Sequence, residues 1–168
     1  GNPQITYFKK VYKRYTNFAI ESSQNTLEGT VNFGNMCSCV IQKNGDLLHK
    51  MVLELTLRCT DFVRLETVVY NNAYAFIDYV EVQIAGQTID KQYGEWMEIW
   101  SQLSQPDGIK QGLDIMLSRS SDGKPSTKGP LTAYIPLQFW FCRNIGLALP
   151  LIALAYHEIE IDLQFTDV

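Results

Sequence analysis

A chain of 168 residues, 46% of them hydrophobic, is long enough to bury one core and too apolar to be a disordered tail. Its net charge of −4 is unevenly spread: residues 1–20 hold Lys9, Lys10, Lys13 and Arg14 and no acid, which leaves −8 on the remainder and argues against coating a genome. No apolar run reaches a membrane span, because the longest, Ile145 to Tyr156, is short and broken by Pro150, and no signal-peptide pattern stands at the start.

Residues 1–16 read as a basic arm ahead of a domain over 17–168. Such an arm can meet an anionic membrane, nucleic acid or an acidic neighbour, or simply stay solvated. Phe18 to Ser22 reads as a first strand. Asn44-Gly45-Asp46, between Met36–Gln42 and Leu47–Leu57, predicts a hairpin, since Asn and Gly both tolerate positive φ. Ile77 to Ile84 alternates, with Val80, Val82 and Ile84 opposing Tyr79, Glu81 and Gln83. It turns at Ala85-Gly86-Gln87 into a short return strand.

One helix is expected at about 93–104. Trp96, Ile99, Trp100 and Leu103 fall on one face at helical spacing, which predicts core packing for the paired tryptophans. Gln105-Pro106-Asp107-Gly108 is expected to stop it. Residues 118–129, polar and turn-rich, read as an exposed loop. Thr132 to Phe141 reads as a strand. From His157 to Phe165 the alternation is strict: Ile159, Ile161, Leu163 and Phe165 lie on one face, and Glu158, Glu160 and Asp162 on a side expected to be wet.

Nothing in this pattern carries catalysis. Four cysteines (Cys37, Cys39, Cys59, Cys142) form no CxxC and no zinc spacing, and are expected as reduced, buried thiols. The two histidines, His49 and His157, supply no His-x-His pair for a metal site. No phosphate-binding loop or nucleophile motif occurs, and Asp61, Glu66, Asp78 and Glu81 are scattered carboxylates. The expectation is no catalytic residue, no cofactor and no metal. Six to eight short strands with an inserted helix point to a β-sandwich, without choosing a jelly roll over an immunoglobulin-like topology.

Two long stretches make that choice. Asn2-Pro3-Gln4-Ile5-Thr6-Tyr7-Phe8 with Tyr12–Ala19, and Pro136–Asn144 with Leu147–Leu154, resemble the first jelly-roll domain of the major capsid protein of nucleocytoplasmic large DNA viruses. Asn44–Leu47, Ile77–Val82, Ile84, Gly86-Gln87, Ile89-Asp90 and Tyr93–Trp100 follow in family order, so the resemblance spans essentially the whole chain.

The resemblance implies an all-β, eight-stranded jelly-roll sandwich with one short inserted helix, in a structural subunit of an icosahedral capsid. In the family two jelly rolls stand in tandem, and three copies make a pseudo-hexagonal capsomer over an inner membrane. This chain is expected to be the first half of such a protein; a single-jelly-roll relative would need six copies for the same capsomer. The implied partners are its own copies in a homotrimer, neighbouring capsomers, and minor capsid and penton proteins, with a viral membrane nearby and no direct contact with the genome. The implied location is the virion, assembled in host cytoplasm. Candidate contacts to subunits or the inner layer are Asn2, Pro3, Gln4, Lys9, Lys10, Lys13 and Arg14. Candidate inter-domain packing residues are Phe139, Trp140, Phe141, Leu147 and Leu149, whose alternative is ordinary core. The competing reading is a jelly-roll carbohydrate- or receptor-binding module, which exposed Trp96, Trp100 or Trp140 would favour.

Overall fold

The computed structural model describes residues 17–57, 72–119 and 131–167. Among these, eight strands run in the order β1 (Met36–Val40), β2 (Leu47–Leu48), β3 (Val52–Leu57), β4 (Ile77–Ile84), β5 (Gln87–Tyr93), β6 (Leu131–Pro136), β7 (Leu149–Pro150) and β8 (Ile159–Phe165). Helices α1 (Gly94–Ser104) and α2 (Asp107–Met116) lie between β5 and β6, and a single turn, α3 (Trp140–Arg143), follows β6. Two 3-10 turns, η1 (Ala73–Phe76) and η2 (Ile145–Leu147), complete the set.

One antiparallel sheet has the order β1-β8-β4-β5. Opposite it, β3 pairs with β6 from Val52↔Pro136 to Leu57↔Leu131, and β2 pairs with β7. The first strand lies against the last, while the sequence neighbours β1 and β2 belong to different sheets. The chain therefore crosses from wall to wall around one core, which is jelly-roll wrapping.

That core follows from the alternation. Ile159, Ile161, Leu163 and Phe165 of β8 point inward with Val80 and Val82 of β4 and Cys37 and Cys39 of β1. They share one cluster with Leu55, Ala133 and Ile135 of the β3–β6 wall and with Phe139 and Phe141. Each fully buried large side chain contributes about 1.5–3 kcal/mol. The β1 cysteines act here as small hydrophobes, as free thiols.

Four local expectations are corrected. Asn44-Gly45-Asp46 is not a hairpin, because β1 takes β8 as its partner and β2 takes β7. It is a corner between sheets, steadied by Lys43, whose Nζ donates to the carbonyls of Leu154, Ala155 and His157 at 2.7, 3.0 and 2.6 Å. Phe18 to Ser22 forms no strand and is exposed, with nothing in register beside it. The strand read over Thr132–Phe141 ends at Pro136, and Trp140–Arg143 turns into α3. The insertion holds two helices instead of one. Pro106 lacks the N–H that would extend α1, and its φ of −63° suits the start of α2, with Asp107 at the favourable end of the new dipole.

Candidate assembly surfaces

Helix α1 sits with the opposite face inward from the one its hydrophobic stripe predicts. Gly94, Met97 and Ser101 are buried, whereas Trp96 is 42% exposed, Ile99 is exposed and Leu103 is 80% exposed. Backbone fit sets this orientation. Gly94 lies so close to the carbonyl oxygens of Ile77 and Tyr74 that a Cβ there would collide with both. Met97, beside that contact, is fully buried. In α2 only Leu113 is buried, and Ile109 and Ile115 face solvent. Arg119 ties the two helices, pairing through Nη2 with Glu98 of α1 and through Nη1 with Asp114 of α2 at 3.0 Å. Both helices of the insertion thus present aliphatic and aromatic residues outward.

A second surface is the outer face of the four-stranded sheet. Met36 and Val40 at the β1 edge and Ile89 and Tyr93 at the β5 edge are exposed. Between the edges lie Glu81, Gln83, Glu160 and Asp162. Lys91 lies over the Tyr79 ring, 3.3 Å from its centroid, and pairs with Glu81 at 3.6 Å. The side expected to be wet is not uniformly so, since Asp162 is only 4% exposed. Burial first, then the neighbouring Glu160 and Glu81, holds its carboxyl above the ordinary aspartate range.

A third feature is a cleft of about 450 Å³ where β5 meets α1 and α3, lined by Asp90, Lys91, Gln92, Tyr93, Trp96, Trp140 and Arg143. Arg143 Nε and Gln92 Nε2 both donate to the Gln138 carbonyl at 3.1 Å, and the Arg143 guanidinium stacks 4.2 Å from the Trp100 ring centroid. Trp100 and Trp140 are half-buried.

The basic-arm candidates Asn2, Pro3, Gln4, Lys9, Lys10, Lys13 and Arg14 lie outside the described residues, as do Cys59, Asp61, Glu66 and the loop from residue 120. Of the packing candidates, Phe139, Phe141 and Leu149 are spent in this domain's own core. Phe139 and Phe141 stack at 5.6 Å, and Trp140 packs edge-on against Phe141 at 5.0 Å. Only Trp140, in the cleft, and Leu147, exposed on η2, remain available to a neighbour. His49 Nδ1 lies 2.9 Å from the Phe141 carbonyl, where a protonated Nδ1 donates, so the ring braces α3. No group of three His, Cys, Asp or Glu gathers in metal-holding geometry among the described residues. Sequence reasoning missed the cleft and α2. Pro106-Asp107 was the available signal for α2, while Gln92 and Arg143 meet only through the fold.

Residues 6–168 match the family described as "Major capsid protein N-terminus". The chain is 46% identical over 171 residues to the major capsid protein of Pyramimonas orientalis virus, covering 99% of this chain and 43% of that protein. It is 42% identical over 161 residues to the major capsid protein of Paramecium bursaria Chlorella virus 1, covering 96% and 36%. A quasi-atomic model of the PBCV-1 virus capsid superposes with a TM-score of 0.78 at 38% identity, over 97% of this chain and 38% of that one. The chain therefore spans about two-fifths of the length of these relatives.

Proposed function

The chain belongs to the major capsid proteins of nucleocytoplasmic large DNA viruses, and from that premise we propose that it serves as a structural wall element of an icosahedral capsid. It forms the first of two jelly rolls in a subunit, and three subunits associate into a pseudo-hexagonal capsomer. The observation that carries this reading is the outward apolar stripe of α1 and α2: Trp96, Ile99 and Leu103 with Ile109 and Ile115. These side chains lie on a rigid sandwich whose core is already filled without them. Burying such residues against a neighbour contributes about 25 cal/mol per Å² of apolar surface removed from water, offset by the cost of association.

Neighbouring capsomers, minor capsid and penton proteins complete the shell, in a virion assembled in host cytoplasm. The basic arm, with Lys9, Lys10, Lys13 and Arg14 as its charges and Asn2, Pro3 and Gln4 at its tip, ties the subunit to neighbours or to an inner membrane. The acidic body stays off the genome. Trp140 and Leu147 contribute to packing against the second jelly roll. The role is mechanical and not enzymatic. The relatives named above are capsid proteins, which favours this reading over a free-standing receptor-binding module.

The test is the particle formed by the protein expressed from its whole reading frame, measured by light scattering and electron microscopy. Threefold, hexagon-shaped particles are expected. Leu103→Lys with Ile99→Lys should leave the unfolding midpoint nearly unchanged, as surface changes do at about ±0.5 kcal/mol each. The same pair should abolish those particles or their tiling. A protein that stays monomeric in the unmodified form sinks the proposal. Particles and tiling indifferent to both lysines remove the stripe as its cause.

A further inference from the structure

The end of the sandwich where β1 leads into β2 gathers apolar side chains that neither the core nor the helical stripe uses. The turns after β7 carry Ile152, 68% exposed, and Tyr156, 99% exposed. Leu47 of β2 is exposed beside Pro150, its partner in β7. The Ile152 N–H donates to the Asp46 carbonyl at 3.3 Å, and Lys43 holds the same turns through the carbonyls of Leu154, Ala155 and His157. Leu151 is buried and anchors them from within. These apolar tips are therefore fixed in place while facing water.

The chain ahead of β1 comes to this same end. Glu28 and Ser38 exchange main-chain hydrogen bonds at 2.7 and 3.1 Å, and Asn25 Oδ1 accepts from the Gln42 N–H at 3.1 Å. Ser23 Oγ lies 3.1 Å from Asn44 Nδ2, which donates to it. Followed towards its N-terminus, the segment thus runs along β1 to the Asn44 corner, and Phe18 and Ile20 beyond it are exposed as well. Asn17, where the basic arm joins, is six residues from Ser23 and so within about 20 Å of it.

Charge and spacing choose the occupant. The corner's own segments carry the exposed acids Glu21, Asp46 and Glu158, which do not attract an anion. Residues 1–16 reverse this, with Lys9, Lys10, Lys13 and Arg14 and no acid. Among them Phe8, Val11, Tyr12 and Tyr15 recur at i, i+3, i+4 and i+7, and the four cations fall between. That is the sequence pattern of a basic amphipathic segment that lies in a bilayer interface, with its cations against anionic headgroups. The corner fits the same surface. Separate apolar tips at the ends of turns enter lipid without needing a matching shape, which a protein partner does need. Tyr156, an apolar ring with one polar end, suits the headgroup boundary.

We infer that this end of the domain is a membrane-contact surface. Leu47, Ile152 and Tyr156 enter the interface of an anionic lipid bilayer, and the arm lies beside them with its cations on the headgroups. The inference rests on the arm contact proposed above and commits it to lipid.

The experiment is flotation of the protein expressed from its whole reading frame, with vesicles of phosphatidylcholine alone or with about 30 mol% phosphatidylserine. Flotation with the anionic vesicles is expected, much weaker with the neutral ones and falling as salt is added. Lys9→Gln with Lys13→Gln should weaken binding by about thirtyfold. Ile152→Ser with Tyr156→Ser should weaken it by about tenfold or more through lost apolar contact. Val31→Ser, exposed near the other end of β1 where the Thr30 carbonyl meets Cys37, should leave it unchanged. Ile152 and Tyr156 are surface residues, and an unaltered unfolding midpoint checks that their variant folds. No flotation with the anionic vesicles overturns the inference, as does equal flotation with both compositions. Flotation indifferent to Ile152→Ser with Tyr156→Ser also overturns it, by removing the corner from the contact. Self-association that the same variants abolish, without flotation, assigns the corner to a second copy instead. Threefold particles that do not float sink the lipid contact alone and leave the capsid reading standing.

Discussion

Gln83 Nε2 donates to Asp162 Oδ2 at 2.6 Å across β4 and β8, so a buried carboxylate hangs on a neutral amide with Glu81 and Glu160 close by. The Asp162 carboxyl is held above its ordinary range, so the folded state binds its proton more tightly than the unfolded state does. Stability is therefore lost as pH rises from the unfolded value of about 4 through the raised folded one, and the deficit persists above it. Asp162→Asn keeps an oxygen for Gln83 and cannot ionise. It should raise the unfolding midpoint at pH 7, with the gain shrinking as the pH falls through the raised folded value and gone below the unfolded value of about 4. Thermal unfolding at several pH values reads this directly. A midpoint shift of the same size at pH 3 and pH 7 would show that ionisation is not its source.

Gly94 decides which face of α1 meets the core. A Cβ at this position would be driven into the carbonyl oxygens of Ile77 and Tyr74, and neither can retreat without disturbing η1 and β4. Gly94→Ala should therefore destabilise the domain by about 1–3 kcal/mol through overpacking, despite the better helix propensity of alanine. In a domain of this length about 1 kcal/mol lowers the midpoint by ~2–4 °C. Denaturant unfolding that shows a gain instead would remove the close approach as the reason for the helix's orientation.

The strands were legible because one-sided burial prints itself as alternation, and β4 and β8 follow their patterns on the inward side residue by residue. The motif order from Asn2 to Leu154 made the family legible as well. What alternation does not reveal is what covers the other side, and so it places Asp162 on a face expected to be wet. Periodicity in α1 likewise names a stripe without naming its partner. Trp96, Ile99 and Leu103 turned outward because Gly94 and Met97 dock more closely than a tryptophan face can. Asn44-Gly45 is a sound local turn signal, but a jelly roll spends it at a corner, since pairing β1 with β2 would deprive β8 and β7 of their partners. The cleft left no trace in sequence because Gln92 and Arg143 are brought together only by the Gln138 carbonyl.

Cys142 bears on how the protein withstands oxidation. Its thiol is pushed up to about 11, chiefly by burial, and the nearby Arg143 and Lys50 and its backbone hydrogen bonds recover only part of that. Burial raises Cys37 and Cys39 as well. Since the thiolate is the nucleophile, all three should react slowly with iodoacetamide in the native protein at pH 8 and rapidly after denaturation. Peptide mapping after timed alkylation assigns each cysteine separately. Rapid native labelling of Cys142 would mean that α3 opens far more often than its fully buried Phe141 implies.

The β4–β5 turn offers the cleanest backbone test. Ala85 and Gly86 both have positive φ, 53° and 76°, as the two central residues of a tight I′ hairpin require. For alanine that conformation is strained, because its Cβ crowds the following carbonyl at a cost of about 1–2 kcal/mol. Asparagine tolerates it better, and the Ala85 N–H bond to the Glu158 carbonyl at 2.9 Å involves only main chain, so it survives substitution. Ala85→Asn should therefore stabilise by about 1 kcal/mol, raising the midpoint by ~2–4 °C. Gly86→Ala is the counterpart. A Cβ there meets nothing within 4 Å, so packing is untouched and any loss is backbone strain alone. That loss should be of the same order, about 1–2 kcal/mol. Opposite signs for the two variants in thermal unfolding are the expected result. A neutral Gly86→Ala would show that the turn relaxes out of positive φ in solution.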